Sequence, residues 1–452
     1  MSVDNLEEVR KELEELLDQK AYTEVRRLLL EEEAADIAEL AEILDLNQLA
    51  AVFRMLPKDT ASDVFVYLSP DLQKNLIATY TDEQISEVLE GLFNDDLVDI
   101  LEELPAHVAK HLIKNSPPDR RRQINFLLQY PDESAGSIMT TEYVHLRSGM
   151  TVGEAIHKLK TIKQRVEMIY TCFVTDNGRI LQGVITVANI LRADDNEIIG
   201  DIMDDEPLFV RTHDDQEDVA RVIRESDLLA LPVLDSESRL VGIVTADDVI
   251  DVMIQELSED HQYMGGMQTT ELPYPETTVW GNAKRRIFWL MLLMLSGSLN
   301  AILLQHYTPI YLAVPALVGI MPRLTSAGGN AASQTSSVEI VALSVGEIDF
   351  PDIFKVIWHE FQVSLVCALV LSVLNFAITY FRYGHDIKLA TTVGISFLVT
   401  IVLSKVLASI LPFLATAIKL DPAMVVSPLI TTVVDIVALV IYYRIAALLF
   451  NL

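Results

Sequence analysis

The sequence predicts a multidomain membrane protein in which a helical domain and a repeated α+β region precede five transmembrane helices. Three observations support this prediction. Long apolar runs fill most of the last 170 residues, short apolar clusters recur about every dozen residues in the first 135, and residues 137–255 contain an internal repeat. A chain of 452 residues is too long for a single compact core, and its mean hydropathy of +0.30 is high for a soluble protein.

The formal charge of −31 is concentrated before the apolar runs. Of the 65 acidic and 34 basic residues, ten of each follow residue 270, so 55 acidic and 24 basic residues precede it. So acidic a surface repels nucleic acid and anionic lipid headgroups, and it attracts cations. For most single carboxylates, however, solubility remains the better explanation.

Residues 1–135 predict an all-α helical-repeat domain. Their apolar residues are spaced by three and four, and turn signals such as Leu56-Pro57, Ser69-Pro70 and Leu104-Pro105 separate them. Such units bury one face against their neighbours, as in a stacked helical array. We find no catalytic constellation here. The N-terminus lacks the apolar core of a signal peptide, so we expect a cytoplasmic location for this half.

Residues 136–255 form two similar units, about 136–198 and 199–255. Each contains a Gly-x-x-Thr strand end before a helix, at Gly183–Thr186 and Gly242–Thr245. The order of strands and helices closely resembles a pair of CBS domains. In that family a threonine followed three residues later by aspartate often contacts a ribose, and here Thr245 and Asp248 keep this pattern. The resemblance implies a possible site for ATP or another adenine nucleotide, while a plain helix N-cap is about equally favoured.

Residues 256–283 predict an acidic connector helix that leads to a transmembrane pore domain at 284–452. The basic run Lys284-Arg285-Arg286 indicates that the first span begins in the cytoplasm, so five spans would leave the C-terminus outside. Each apolar run is long enough to cross a hydrocarbon core of about 30 Å. The runs cover residues 287–306, 309–343, 361–381, 389–418 and 422–449.

Asp435 is the most informative residue, because it lies in the middle of the last apolar run. A carboxylate at the centre of a transmembrane helix costs about 2.5–3.5 kcal/mol, so it normally faces a polar interior. The alternative is an ion pair with Arg444 or Lys405. Arg444 lies two and a half turns away and is a poor partner within the helix. The pattern therefore favours a carboxylate that faces a pore.

Polar residues near Asp435 and in the second run extend this candidate pore. Small polar residues in spans also promote helix packing or bond to the preceding turn, so each alone is weak support. In the second run, two amides four residues apart share one helix face. The candidate pore-lining residues are Ser427, Thr431, Thr432, Asn330 and Gln334.

The donor types indicate a hard cation. The sequence has no Cys or His cluster with transition-metal spacing, whereas carboxylate, hydroxyl and amide oxygens suit magnesium and calcium. Magnesium loses its waters reluctantly, so one carboxylate per chain with polar groups beyond it fits a largely hydrated Mg²⁺.

These features together resemble the MgtE family of magnesium channels over nearly the whole chain. The specific motifs are Gly-Gly-Asn-Ala at 328–331 with Gln334, Gly-Glu-Ile at 346–348, and Asp-Pro-Ala at 421–423 followed by Asp435. The resemblance implies a homodimer in the lipid bilayer of the bacterial inner membrane, with a pore on its two-fold axis. It also implies passive import of Mg²⁺. Ala332 stands where the family usually has glycine, and Arg323 is an unexpected charge in the second span.

The resemblance further implies that intracellular Mg²⁺ closes the channel by bridging carboxylates of the cytosolic domains. A ligand-driven closure requires tighter binding to the closed form. For any single acidic residue a solvated surface position is the commoner explanation. The candidate metal ligands besides Asp435 are Asp95, Asp96, Asp99, Asp247, Asp248, Asp251, Glu256, Glu259, Asp260 and Asp421.

Two other functions stay open at this point. One is a membrane-anchored sensor whose CBS pair binds nucleotide, and the other is a proton- or sodium-coupled exporter of divalent metal. The five spans argue against a soluble enzyme, and we find neither a phosphate-binding loop nor a motif that pairs a nucleophile with a base.

Overall fold

The computed structural model describes residues 3–162, 165–270 and 277–452, without the side chains of 3–8, 18, 103, 296 and 425–428. The chain divides into two compact units, Met1–Val252 and Met253–Leu452. Each unit is described by itself.

The first unit begins with ten short helices that pack through small apolar faces. Capping boxes at Asp45 and Thr81 start two of them, and prolines at the first helical position start two more. Buried leucines and isoleucines, such as Leu49, Leu76 and Leu97, form the core between successive helices. The helices are α1 (Val3–Asp18), α2 (Tyr22–Leu29), α3 (Ala34–Ala41), α4 (Leu46–Met55), α5 (Lys58–Val66), α6 (Pro70–Thr79), α7 (Asp82–Glu90), α8 (Asn94–Glu103), α9 (Ala106–Asn115) and α10 (Pro118–Leu127).

Two three-stranded sheets with flanking helices follow in the same unit. In each sheet the first two strands are parallel and the last two antiparallel. The elements are β1 (Tyr143–Arg147), α11 (Val152–Thr161), β2 (Met168–Thr175), β3 (Leu181–Thr186), α12 (Val187–Arg192), α13 (Ile199–Ile202), β4 (Val210–Arg211), α14 (Gln216–Ser226), β5 (Ala230–Leu234) and β6 (Leu240–Thr245).

The two repeats interlock through their glycines. A Cβ on Gly183 would lie 2.7 Å from Sδ of Met203, and one on Gly242 would lie 2.6 Å from Sδ of Met139. Each glycine therefore admits a methionine of the other repeat against its strand, because any side chain there would collide with it.

Helix α15 (Ala246–Met264) continues directly from the last strand of the second sheet. The predicted connector, residues 256–283, therefore does not begin with a helix of its own. Its first nine residues are the C-terminal half of α15, and the next long helix begins at Val279. Residues 271–276 of the predicted connector lie outside the described residues.

In its described residues, the second unit contains the C-terminal part of α15, five further long helices, one short helix and a 3-10 turn at Phe350–Asp352. Four of the long helices are apolar enough to cross a membrane, and the fifth, α18, is more polar although it has 29 residues. Helix α20 occupies the centre, where it packs against α18, α19 and α21. The helices are α16 (Val279–His306), α17 (Thr308–Ala313), α18 (Ala316–Ser344), α19 (Ile353–Arg382), α20 (Ile387–Ala417) and α21 (Pro422–Phe450).

Candidate pore and acidic clusters

Asp435 lies half-buried in the middle of α21, far from any basic side chain with which it could pair. Among the described residues it forms no ion pair and no hydrogen bond, and no charged side chain perturbs it. Arg444 is exposed two turns farther along the helix, and Lys405 pairs with Glu360 instead. Neither ion pair that the sequence left open for Asp435 is present.

Several polar side chains of α18 and α21 face outward from the bundle. Asn330, Ser333 and Gln334 are exposed on α18, and Thr431 is exposed on α21 one turn before Asp435, with Thr432 half-buried beside it. The side chain of Ser427, also a candidate pore residue, lies outside the described residues. Amide and hydroxyl groups on an outer face are poorly suited to lipid, because a bilayer core offers them no hydrogen bonds.

Glycines of α18 allow it to pack closely against α21 on the buried side of the helix, behind the outward polar face. A Cβ on Gly328 would lie 3.2 Å from Cγ1 of Val434, and one on Gly329 would lie 3.7 Å from Cγ2 of Thr431. Ala332, the position where glycine was expected, is completely buried in the same contact, so its methyl group fits there.

Arg323 lies on the polar side of α18, two turns before Asn330. The spacing of seven residues places it close to the same helix face. Its side chain is half-buried, and it lies close enough to Tyr442 of α21 to influence that group electrostatically.

The end of α18 and the start of α21 meet the end of α15. The hydroxyl of Ser344 donates to Oδ2 of Asp260 at 2.8 Å, and Asp421 and Glu259 lie near Asp260. Burial raises the pKa of Asp260 and of Asp421, and the neighbouring carboxylates add to both shifts. Met264 and Tyr263 pack on the apolar cluster at this end of the bundle. Asp421, a candidate metal ligand, therefore lies near the candidate ligands Glu259 and Asp260 of α15.

A second group of carboxylates lies within the first unit, between α8 and the start of α15. Burial and then the negative field of Asp248 raise the pKa of Asp95 well above its ordinary value. Burial also raises the pKa of Asp248 to about 6, although the Thr245 hydroxyl donates to it at 2.5 Å, and Asp247 adds to the shift. Asp96 belongs to the same group, because its pKa is raised by burial and by Asp63 and Asp247.

Two members of this group, Glu142 and Glu167, were not predicted as site residues from the sequence. Burial and then Asp248 raise the pKa of Glu167 to about 8, and Glu142 accepts a hydrogen bond from the backbone of Asn94 at 3.0 Å. Each glutamate directly precedes a strand, and these strands, β1 and β2, are parallel neighbours. The starts of parallel strands meet at one sheet edge, so pairing these two acids was possible from the sequence.

The remaining candidates are more exposed. Asp99 and Asp251 lie on outer faces of α8 and α15, and Glu256 is half-buried on α15. Thr245 is buried, its hydroxyl donates to the Asp248 carboxylate, and its backbone N–H donates to the same carboxylate at 3.4 Å, which is one half of a capping box.

The acidic clusters are not preformed metal sites. Over residues 3–162, 165–270 and 277–452, no three His, Cys, Asp or Glu side chains are arranged to hold a metal ion directly. Nevertheless Oδ1 of Asp95 and Oε2 of Glu167 are buried without a hydrogen-bond partner in the described part. Unpartnered buried carboxylate oxygens are costly unless a proton or a cation meets them.

Comparison with known proteins finds three family models along the chain. Residues 321–445 match the MgtE divalent cation transporter model, residues 32–133 match the MgtE intracellular N domain, and residues 135–196 and 199–255 each match the CBS domain. The intracellular and CBS matches lie in the first unit, and the transporter match covers α18 to α21.

Full-length relatives show similarity over nearly the whole chain. The magnesium transporter MgtE of Thermus thermophilus is 34% identical over 97% of this chain and 97% of its own length. MgtE of Bacillus subtilis is 29% identical over 93% of this chain and 95% of its length.

A solved structure agrees with the first unit. The cytosolic domain of the Mg²⁺ channel MgtE in complex with ATP is 35% identical, with a TM-score of 0.52, and it covers 54% of this chain and 99% of that one. Because the similarity is continuous from the helical array through the CBS pair to the transmembrane bundle, this chain belongs to the MgtE family of magnesium transporters.

Proposed function

We propose that this chain is a channel that imports Mg²⁺ passively down its electrochemical gradient and that intracellular Mg²⁺ closes it. One observation carries the pore assignment: Asp435 lies in an apolar helix without a basic partner, beside the outward polar face of α18 and α21. An intramembrane carboxylate of this kind is typical of an ion pathway.

A homodimer accounts for the outward polar face. If two copies meet along α18 and α21, Asn330, Gln334 and Thr431 leave the lipid and line a shared pore with both copies of Asp435. The amide and hydroxyl oxygens then contact the water shell of Mg²⁺, which the ion retains in most protein sites. With the connector in the cytoplasm, α21 ends outside the inner membrane.

The acidic clusters supply the closing mechanism. Carboxylates that raise one another's pKa repel when they are ionised, and Mg²⁺ relieves that repulsion. The cluster of Asp95, Asp248 and Glu167 would bind Mg²⁺ within the cytosolic unit. Asp260, Glu259 and Asp421 would bind it at the pore mouth, where α15 already contacts α18. Hydrated ions fit carboxylates that are near each other but not yet at ligand distance.

The pore assignment is tested by Mg²⁺ flux into proteoliposomes containing Asp435→Asn. We expect uptake to fall by about tenfold or more, equivalent to about 1.4 kcal/mol of lost ion stabilisation. Arg444→Gln, an exposed charge change on the same helix, is the matched control and should conduct normally. Unchanged flux through Asp435→Asn would remove the pore assignment.

The CBS pair carries a separate proposal, that it binds ATP. The solved relative binds ATP, and Asp248 can accept from a ribose hydroxyl as well as from Thr245, because a carboxylate has several acceptor positions. Calorimetric titration of ATP into the wild type and Thr245→Val should show weaker binding in the variant. Thr186→Val, at the equivalent position of the first repeat, should bind like the wild type, and equal affinity in all three would exclude this site.

A further inference from the structure

The transmembrane bundle buries a second charged cluster, separate from Asp435. Nζ of Lys405 on α20 donates to Oγ1 of Thr335 on α18 at 2.9 Å and to Oε2 of Glu360 on α19 at 3.3 Å. Thr335 also donates to the same glutamate oxygen at 2.9 Å. Lys405 and Glu360 are only 8% and 18% exposed, so this ion pair closes a polar triangle inside the bundle.

Glu339 lies one turn after Thr335 on the same helix and is 4% exposed. Neither of its carboxylate oxygens has a hydrogen-bond partner among the described residues. The Ser409 hydroxyl of α20 faces Glu339, yet it too is buried without a hydrogen bond. A buried carboxylate without donors is among the most costly groups in a bilayer protein.

The charges of Glu339, Glu360 and Lys405 do not balance, and the cluster lacks one positive charge. The charged groups that act on Glu339 are Glu360 from α19 and Lys405 from α20. Lys405 already donates to Thr335 and Glu360, so two carboxylates share one ammonium and one negative charge is left over. A single monovalent cation would make the cluster neutral.

A proton fits this position better than a metal ion. A metal ion requires several oxygen ligands, and in the described part of the bundle no three His, Cys, Asp or Glu side chains are arranged to hold one. A proton needs no coordination shell, and the resulting carboxylic acid can donate to a hydroxyl such as that of Ser409.

We propose that Glu339, Glu360 and Lys405 form a proton-binding site inside the transmembrane bundle, with the proton on Glu339. The bound state contains a neutral Glu339 and an ionised pair of Glu360 with Lys405. Loss of the proton leaves two carboxylates competing for one ammonium between α18 and α20. Because α18 also carries Asn330 and Gln334, this site couples protonation to a helix of the proposed pore.

Infrared spectroscopy of the full-length protein in lipid at pH 7 tests the site. A protonated carboxylic acid has a carbonyl stretch distinct from that of a carboxylate. We expect the band of the wild type to contain a component that Glu339→Gln lacks, so the difference spectrum of the two proteins separates it from other protonated carboxyls such as Glu167. Glu347→Gln, a change at an exposed glutamate just beyond α18, and Asp435→Asn, the pore variant, should both keep it.

Two further variants keep the test decisive if Glu339→Gln does not fold. Glu339→Asp retains the acid in a new environment, so its band should shift in frequency without being lost. Lys405→Met removes the ammonium, so Glu360 should bind a proton as well and a second acid band should appear. A difference spectrum between the wild type and a folded Glu339→Gln that contains no carboxylic-acid band would overturn the proposal.

Discussion

Asp435 and Lys405 are charged residues on adjacent helices, and their partners give them different roles. The sequence left open whether they pair with each other. Lys405 contacts Thr335 and Glu360 instead, which leaves Asp435 with no basic partner among the described residues. A carboxylate at that depth requires a proton or a visiting cation, and its position beside the outward polar face favours the cation.

Arg323 should oppose cation entry, because it lies on the polar side of α18. We expect Arg323→Gln to increase Mg²⁺ flux by roughly twofold to fivefold at low ionic strength, the size of a surface charge effect over about 10 Å. The increase should shrink as salt rises, since salt screens such fields. Flux is measured in proteoliposomes at two salt concentrations.

Arg323→Lys is the control for charge, and it should conduct like the wild type at both salt concentrations. An equal increase in Arg323→Lys would assign the effect to packing against α21 rather than to charge.

The carboxylates around Asp248 predict how stability depends on pH. Glu167 and Asp248 have pKa values of about 8 and about 6, above the ordinary values that they have in the unfolded chain. Between about pH 4 and 8 the folded state therefore binds more protons, so stability falls as the pH rises through this window. We expect the melting temperature of the full-length protein without Mg²⁺ to fall as the pH rises from about 4 to 8.

Mg²⁺ should raise the melting temperature more at pH 8 than at pH 5.5, because it binds the ionised carboxylates. Asp248→Asn should melt higher than the wild type without Mg²⁺ and gain less from Mg²⁺, by a few degrees for about 1 kcal/mol. Asp205→Asn, at an exposed carboxylate, is the control. A wild-type response to Mg²⁺ that does not depend on pH would contradict the assignment.

At the scale of elements, α18 depends on close approach to its neighbours. A Cβ on Gly328 would lie 3.0 Å from Cγ2 of Thr400 and 3.1 Å from Oγ of Ser404, so the larger Gly328→Val change must displace α20 or α21. Overpacking of this kind costs about 1–3 kcal/mol, and we expect a lower melting temperature. Gly297→Val is the matched control, since nothing lies within 4 Å of the Cβ position at Gly297. Equal melting of both variants would show that the contact is not tight.

The elements themselves were largely predictable, because they follow from local patterns. Apolar spacing predicted the short helices, and long apolar runs predicted the spans. The start of the connector was placed at Glu256, yet α15 begins at Ala246, because no glycine or proline interrupts the helix between these residues.

Contacts between distant residues were harder to predict. The pairing of Lys405 with Glu360 joins two residues 45 positions apart on neighbouring helices, and no periodicity within either helix indicates its partner. Glu142 and Glu167 belong to the acidic cluster because β1 and β2 are parallel neighbours, so predicting them required the order of the strands as well as the position of each acid before a strand. Asp435 was predictable because a charge in an apolar run is visible without any partner.

At the scale of the whole molecule, we propose that a second copy covers the outward polar face. We expect Asn330→Cys, with Cys172 and Cys367 replaced by alanine, to form a cross-linked dimer in membranes. A bifunctional thiol reagent that spans about 10 Å is suitable, because a hydrated pore is wider than a disulfide allows. Val366→Cys, on an exposed apolar face of α19, should remain monomeric on denaturing gels. Cross-linking of Val366→Cys alone would place the dimer contact elsewhere.

The uneven charge of the chain is consistent with the proposal that one part binds regulatory Mg²⁺ and another part conducts Mg²⁺. The acidic excess lies before residue 271, while the transmembrane part is balanced, with ten acidic and ten basic residues. In the proposed orientation, an ion that crosses the membrane near Asp435 would enter the compartment where the acidic clusters lie. Channel closure by the transported ion follows if those clusters bind it more tightly in the closed form.

Mg²⁺ influx into proteoliposomes whose internal Mg²⁺ is set before the assay tests this account most directly. We predict fast influx at low internal Mg²⁺ and strong inhibition at high internal Mg²⁺ under an equal driving force. The combined variant Glu256→Gln, Glu259→Gln and Asp260→Asn should remain conductive at both concentrations. Influx through the wild type that does not depend on internal Mg²⁺, or normal closure of the combined variant, would contradict it.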